Sequence, residues 1–138
     1  MQRRKDWAQR LNAYIGKVKE RPHSWGRFDC CIFVGDAVKA QTGVDPMKEF
    51  RRKYRSREGA ARVLKEIGSG SLYATVRSKF GNPVPASMGR RGDILYHEGS
   101  LGIIMGRFAL LLTEDRGLLA LPIIALGGSR AFRVPFRG

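Results

Sequence analysis

After Gly92 the chain breaks into short apolar runs, at 93–97, 100–106, 108–113, 116–120 and 130–135, joined by short links of which two contain glycine. Runs of this length rich in Leu, Ile, Val and Phe read as β-strands. The links dictate how those strands can pair. A parallel crossover needs a dozen or more residues, so neighbours joined by these links must run antiparallel. Glu98-Gly99 is a two-residue hairpin turn in this reading, which sets His97 directly opposite Ser100. Leu121–Leu126 reads as a single helical turn.

The first 81 residues have a different period. Trp7, Leu11, Tyr14, Ile15 and Val18 recur at helical spacing, predicting an amphipathic helix over 4–20 that ends at Arg21-Pro22. A second helix is expected over 30–42, closed by Gly43, with Gly35 marking close packing inside it. Asp45-Pro46 starts a third, short helix running to about Tyr54. Ser56 caps a fourth over 57–67, with Ala60, Ala61, Val63, Leu64 and Ile67 turned inward. Leu72, Val76 and Phe80 mark a fifth, stopped by Gly81. Pro83, Pro85 and the Gly89–Gly92 turn separate the halves. The expectation is one α+β domain over 1–138, with helices at about 1–81 and an antiparallel sheet at about 93–138.

One stretch carries chemistry. Pro22-His23-Ser24-Trp25-Gly26-Arg27-Phe28-Asp29-Cys30-Cys31 leads directly into the second helix. Asp29 suits an N-cap, because its carboxylate can accept the open amide hydrogens of the first turn. Cys30 then takes the first helical position, where the helix dipole favours thiolate over thiol. A reactive cysteine needs this placement. A small buried hydrophobe on the inner face of the helix is the alternative.

The same residues resemble a family. Trp25-Gly26 followed by Phe28-Asp29-Cys30 is similar to the signature around the nucleophile of NlpC-type cell-wall cysteine peptidases, whose fold is papain-like. Gly43 to Pro46, Gly92-Asp93-Ile94-Leu95-Tyr96 and Leu101-Gly102-Ile103-Ile104-Met105-Gly106 resemble further pieces of that pattern in the same order, over about Arg21 to Gly106. The layout looks closest to small members encoded among phage and prophage tail genes. The resemblance implies a papain-like fold with Cys30 as nucleophile and Trp25, Gly26, Asp29 and Cys31 in the groove or oxyanion loop. It also implies a histidine just before the 101–106 strand, where this chain has Ser100. The third polar position falls near Thr113 or Glu114.

A cysteine hydrolase needs a base within reach of its thiol. His97, opposite Ser100 across the hairpin, is the candidate substitute; His23, in the loop before Cys30, is the other, with a plain loop histidine as its alternative. Asp93 is expected to pair with Arg90 or Arg91. Two adjacent cysteines and two histidines offer neither a disulfide framework nor a metal site, and no cofactor is expected.

The chain has 26 basic and 12 acidic residues, a net charge of +14. Such a charge attracts polyanions: nucleic acid, cell-wall polymers, anionic lipid or an acidic protein. The densest basic run is Lys48, Arg51, Arg52, Lys53, Arg55 and Arg57. It matches no nucleic-acid-binding motif, so any such contact would be non-specific and salt-dependent. No apolar run reaches the ~20 residues of a membrane span, and the basic N-terminus lacks the apolar core of a signal peptide. Together with the resemblance, this leads to the expectation of a phage tail-tip or tail-hub protein with a degenerate catalytic site. It would be made in the host cytoplasm and carried in the virion, with other tail proteins as partners. An active peptidase or amidase acting on peptidoglycan is the alternative, and a basic nucleic-acid-binding protein a distant third.

Overall fold

A computed structural model describes residues 1–136. It is α+β, with the helices first and the sheet after them. Helix α1 spans Trp7–Val18, α2 Cys30–Thr42, α3 Arg57–Glu66 and α4 Leu72–Phe80. The strands are β1 (Val84–Pro85), β2 (Ile94–His97), β3 (Ser100–Met105), β4 (Phe108–Thr113), β5 (Gly117–Pro122) and β6 (Arg130–Phe132). They form one antiparallel sheet in the order β1-β6-β2-β3-β4-β5.

Alternation along the strands splits the apolar side chains between two clusters. Ile94, Leu101, Ile103 and Leu112 face the helices and join Phe33, Val34 and Val38 of α2 in the main core. Leu95, Ile104, Ala109 and Leu111 face the other way. No helix longer than one turn covers them among the described residues. Two 3-10 turns, Ala86–Met88 and Ile123–Ala125, lie over that side. Helix α2 packs on α1 and on strands β3 and β4. At Gly35 a Cβ would come within 2.9 Å of Met47 Cβ, so the close approach read from this glycine is real.

Several boundaries differ from the sequence reading. Helix α1 begins at Trp7 because the preceding backbone is used elsewhere: Arg3 N–H donates to Pro135 O and Arg4 N–H to Gln41 O. The helix expected from Pro46 to Tyr54 is one 3-10 turn, Lys48–Phe50. It stops because Arg51 is extended and Arg52 has a φ of 58° while donating its N–H to Gly26 O. In α3, Val63 is buried, but Ala61 and Ile67 are exposed. Strand β5 continues to Pro122 before the expected helical turn begins.

Val84-Pro85, read as separator, is an edge strand on β6. Strand β6 itself ends at Phe132 and returns to lie beside β2. Asp93 pairs with Arg3 (2.6 Å), not with the side chains of Arg90 or Arg91. Arg90 contributes its backbone N–H to the same carboxylate, and Arg91 gives its carbonyl to Arg3.

Candidate active-site groove

The groove begins at Asp29. Its backbone is extended and its Oδ1 accepts the Ile32 N–H at 3.0 Å, so it is the N-cap of α2. Its Oδ2 accepts the Gly26 N–H at 2.8 Å and the Tyr54 hydroxyl at 2.6 Å. One buried carboxylate therefore fixes the helix start, the loop before it and the end of the basic segment. Gly26 has a φ of 79°, and a Cβ there would sit 2.1 Å from Tyr54 O. Only glycine fits.

Cys30 occupies the first position of α2, as expected, but the local balance opposes ionisation. Burial pushes its thiol up to about 11; hydrogen bonding from the Leu101 backbone pulls it down, and the Asp29 carboxylate pushes it up. The helix terminus does not prevail, because the thiol lies against an apolar wall and beside a fixed negative charge. Cys31 is driven up too, chiefly by burial in the main core.

Around Cys30 lies a groove of about 580 Å³. Its floor includes Phe50, Leu64, Leu72 and Leu112, and its polar rim includes His23, Trp25, Ser100 and Thr113. Trp25 lines the groove and donates its Nε1–H to Glu114 Oε1 at 3.2 Å. Arg57, at the start of α3, pairs with the other oxygen of Glu114 at 3.0 Å. Glu114 thus ties the 23–28 loop and α3 to the β4–β5 hairpin across the groove mouth.

Ser100 lines the groove one residue before Leu101, whose backbone meets the Cys30 thiol. His97 is paired with Ser100 across the hairpin, and Glu98 and Gly99 have the positive φ values of 47° and 82° that a two-residue turn of this hand requires. Yet His97 does not line the groove. Helix α2 lies over β3 and β4, and β2 is one strand further out, a step of about 4.8 Å. The His97 Nε2 sits 3.7 Å from Glu98 Oε2 instead. His23 does reach the groove, its ring edge-on to Trp25 at 4.7 Å.

The basic run is not one surface. Arg51 is an internal strut, bonded to Asp45 at 2.5 Å and to Asp36. Arg57 belongs to the groove mouth. Lys48, Arg52, Lys53 and Arg55 are exposed, with no ion pair among the described residues. No group of three or more His, Cys, Asp or Glu side chains that could hold a metal ion occurs among the described residues. No helix there is long and apolar enough to cross a membrane.

The sequence reading gave Tyr54 no place at the site. The bond that brings it there is made by a side chain distant in sequence, and no local pattern announces it.

Residues 2–134 match the family described as a domain of unknown function, DUF6950. The chain belongs to that family. No match is found among curated proteins. In this DUF6950 domain the matched span includes every residue of the groove described above.

Proposed function

We propose that this DUF6950 domain is an NlpC-like, papain-related fold whose hydrolytic centre is degenerate, and that it serves as a structural or assembly component of a phage tail tip or hub. The assignment to a tail rests on the ordered resemblance from Arg21 to Gly106. In this reading its partners are other tail proteins. The degenerate centre rests on one observation: beside Cys30, where the resembled peptidases carry an imidazole, the groove presents Ser100. A serine hydroxyl cannot take a proton from a thiol near neutral pH. With the thiol at about 11, roughly one molecule in 10⁴ carries a thiolate at pH 7.

The deciding experiment is the rate of Cys30 alkylation against pH, with peptide mapping to separate it from Cys31, in parallel with incubation on peptidoglycan. Slow labelling that accelerates only in strong base, with no new amino termini released, is expected. Rapid labelling near pH 7, lost in His23→Ala or His97→Ala, would overturn the degenerate centre.

A second reading has an observation in its favour. His23 lines the same groove as Cys30, so a hydrolase acting on cell-wall peptides would draw its base from the loop before α2, in place of the His97 expected from sequence. The same alkylation profile separates the two, because a thiolate–imidazolium pair labels well below the ordinary cysteine value of ~8.5.

A further inference from the structure

Strand β5 is the last strand of the sheet and pairs with β4 alone. The register shows which of its backbone groups are spare. Just beyond the strand, Ile123 N–H donates to Arg107 O at 2.9 Å, so 107 and 123 form a hydrogen-bonded pair. Such pairs alternate along an antiparallel ladder. Ala109–Leu121, Leu111–Leu119 and Thr113–Gly117 are therefore the bonded pairs of β4 and β5. Pro122, with no N–H to give, falls at a position where none is needed. Leu118 and Ala120 turn their N–H and C=O groups outward, and no hydrogen bond reaches those groups among the described residues.

Exposed edges are normally protected by charge, a bulge or a mid-strand proline. Strand β5 reads Gly-Leu-Leu-Ala-Leu-Pro, with no charge and its proline only at the end. Leu118, Leu119 and Leu121 are half-buried, and Ala120 is exposed. Just past the strand, Ile124 is 96% exposed.

We propose that this edge joins two copies of the chain, β5 against β5, antiparallel about a twofold axis at Leu119. The segment is complementary to itself. In this register Leu118 lies opposite Ala120 of the second copy, large against small. These are also the residues with spare N–H and C=O groups, so each such pair exchanges both bonds. Leu119 faces its own copy.

Charge favours the same place. At +14, two copies repel over most of their surface. Segment 108–129 carries two acidic residues (Glu114, Asp115) and one basic (Arg116), a local balance of −1. Across the axis Arg116 falls opposite Pro122 and Asp115 opposite Ile123, so no like charges meet. The pairing does not depend on how the groove is read.

The test uses the full chain. Leu119 meets its copy in a non-hydrogen-bonded pair, with Cα atoms about 4.5 Å apart, within the range a disulfide spans. Leu119→Cys is expected to form a disulfide-linked dimer on mild oxidation. Ala120→Cys, which faces Leu118, and the parent with its native cysteines are expected not to.

Ala120→Pro removes an outward N–H that β4 does not use, so the β4–β5 ladder survives. Sedimentation is expected to show a concentration-dependent dimer for the parent, weakened by roughly tenfold or more in Ala120→Pro, with the two melting temperatures equal at a dilution where both are monomeric. A parent that stays monomeric at its highest soluble concentration would overturn the proposal, leaving the edge to a strand of a different protein. So would a dimer indifferent to Ala120→Pro in which Leu119→Cys does not cross-link.

Discussion

The Tyr54 hydroxyl donates a 2.6 Å hydrogen bond to Asp29, the residue that caps the cysteine helix. Tyr54 is itself buried, and burial together with the adjacent carboxylate keeps its phenol protonated far above the ordinary tyrosine value. The bond is thus a permanent donor to a charged acceptor, a stronger kind than one between neutral groups. It couples the basic segment to the start of α2.

Tyr54→Phe removes that donor while keeping the ring. Asp29 retains its two backbone donors, so the expected loss is about 1.5–3 kcal/mol, read as a lower urea midpoint at unchanged slope. Asp29→Ala removes all three bonds, the helix cap among them, and should cost more than Tyr54→Phe. An equal loss in the two variants would show that the carboxylate is not the hub.

Gly26→Ala forces a side chain into a positive-φ position already occupied by Tyr54 O. A loss of more than 1 kcal/mol is expected, and it should be smaller in a Tyr54→Phe background only if the loop has already loosened. Urea unfolding of the double-mutant cycle measures this coupling directly.

Arg3 and Asp93 form an ion pair with both side chains almost fully buried. Burial lowers the Arg3 pKa, with Asp93 acting in the opposite direction. Arg3→Met strands a carboxylate in the core and should cost about 3–5 kcal/mol. Arg3→Met with Asp93→Asn should cost less than the sum of the two single changes.

Both cysteines titrate above their ordinary value in the folded state. Between the unfolded and folded values the native protein holds more protons, so stability falls as pH rises through that window. Thermal melts should be flat in pH below the ordinary cysteine value of ~8.5 as far as these groups are concerned, and decline towards about 11. Cys30→Ala and Cys31→Ala should each flatten that decline.

Glu114→Ala removes both acceptor oxygens and so breaks the tie across the groove mouth. The Arg57–Glu114 pair is exposed, so stability should change by no more than about 1 kcal/mol. The indole of Trp25 should nevertheless become more accessible. In a Trp7→Phe background, acrylamide quenching of Trp25 fluorescence is expected to rise.

The local signals of this fold were legible. Asp29, Ser56 and Ser71 cap helices because a short side chain next to open N–H groups has one favourable use, and all three do so here. Ser71, which sits in the run Gly68-Ser69-Gly70-Ser71, shows how easily a cap hides among small residues. Short links set the antiparallel pairing of β2 through β5, and Glu98-Gly99 fixed the His97–Ser100 register.

What stayed hidden depends on contacts between distant residues. Strand β6 returns to β2 across the whole hairpin stack, Arg3 finds Asp93 from ninety residues away, and Arg51 leaves its basic run to brace Asp36 and Asp45. The cysteine helix was read correctly, but its effect on the thiol was not. The dipole is a property of the helix, whereas the apolar wall beside Cys30 is assembled from several elements.

The Arg3 clamp also fixes where the polypeptide enters and leaves the domain. Arg3 N–H bonds Pro135 O, and the guanidinium packs against the rings of both Trp7 and Phe136, which meet edge to face. Entrance and exit are therefore neighbours on the surface. A domain with that geometry can be spliced into a loop of another polypeptide without prising its host apart, and new termini cut into a surface turn such as Gly127-Gly128 would leave Arg3 and Pro135 close enough for a short peptide to join the two segments.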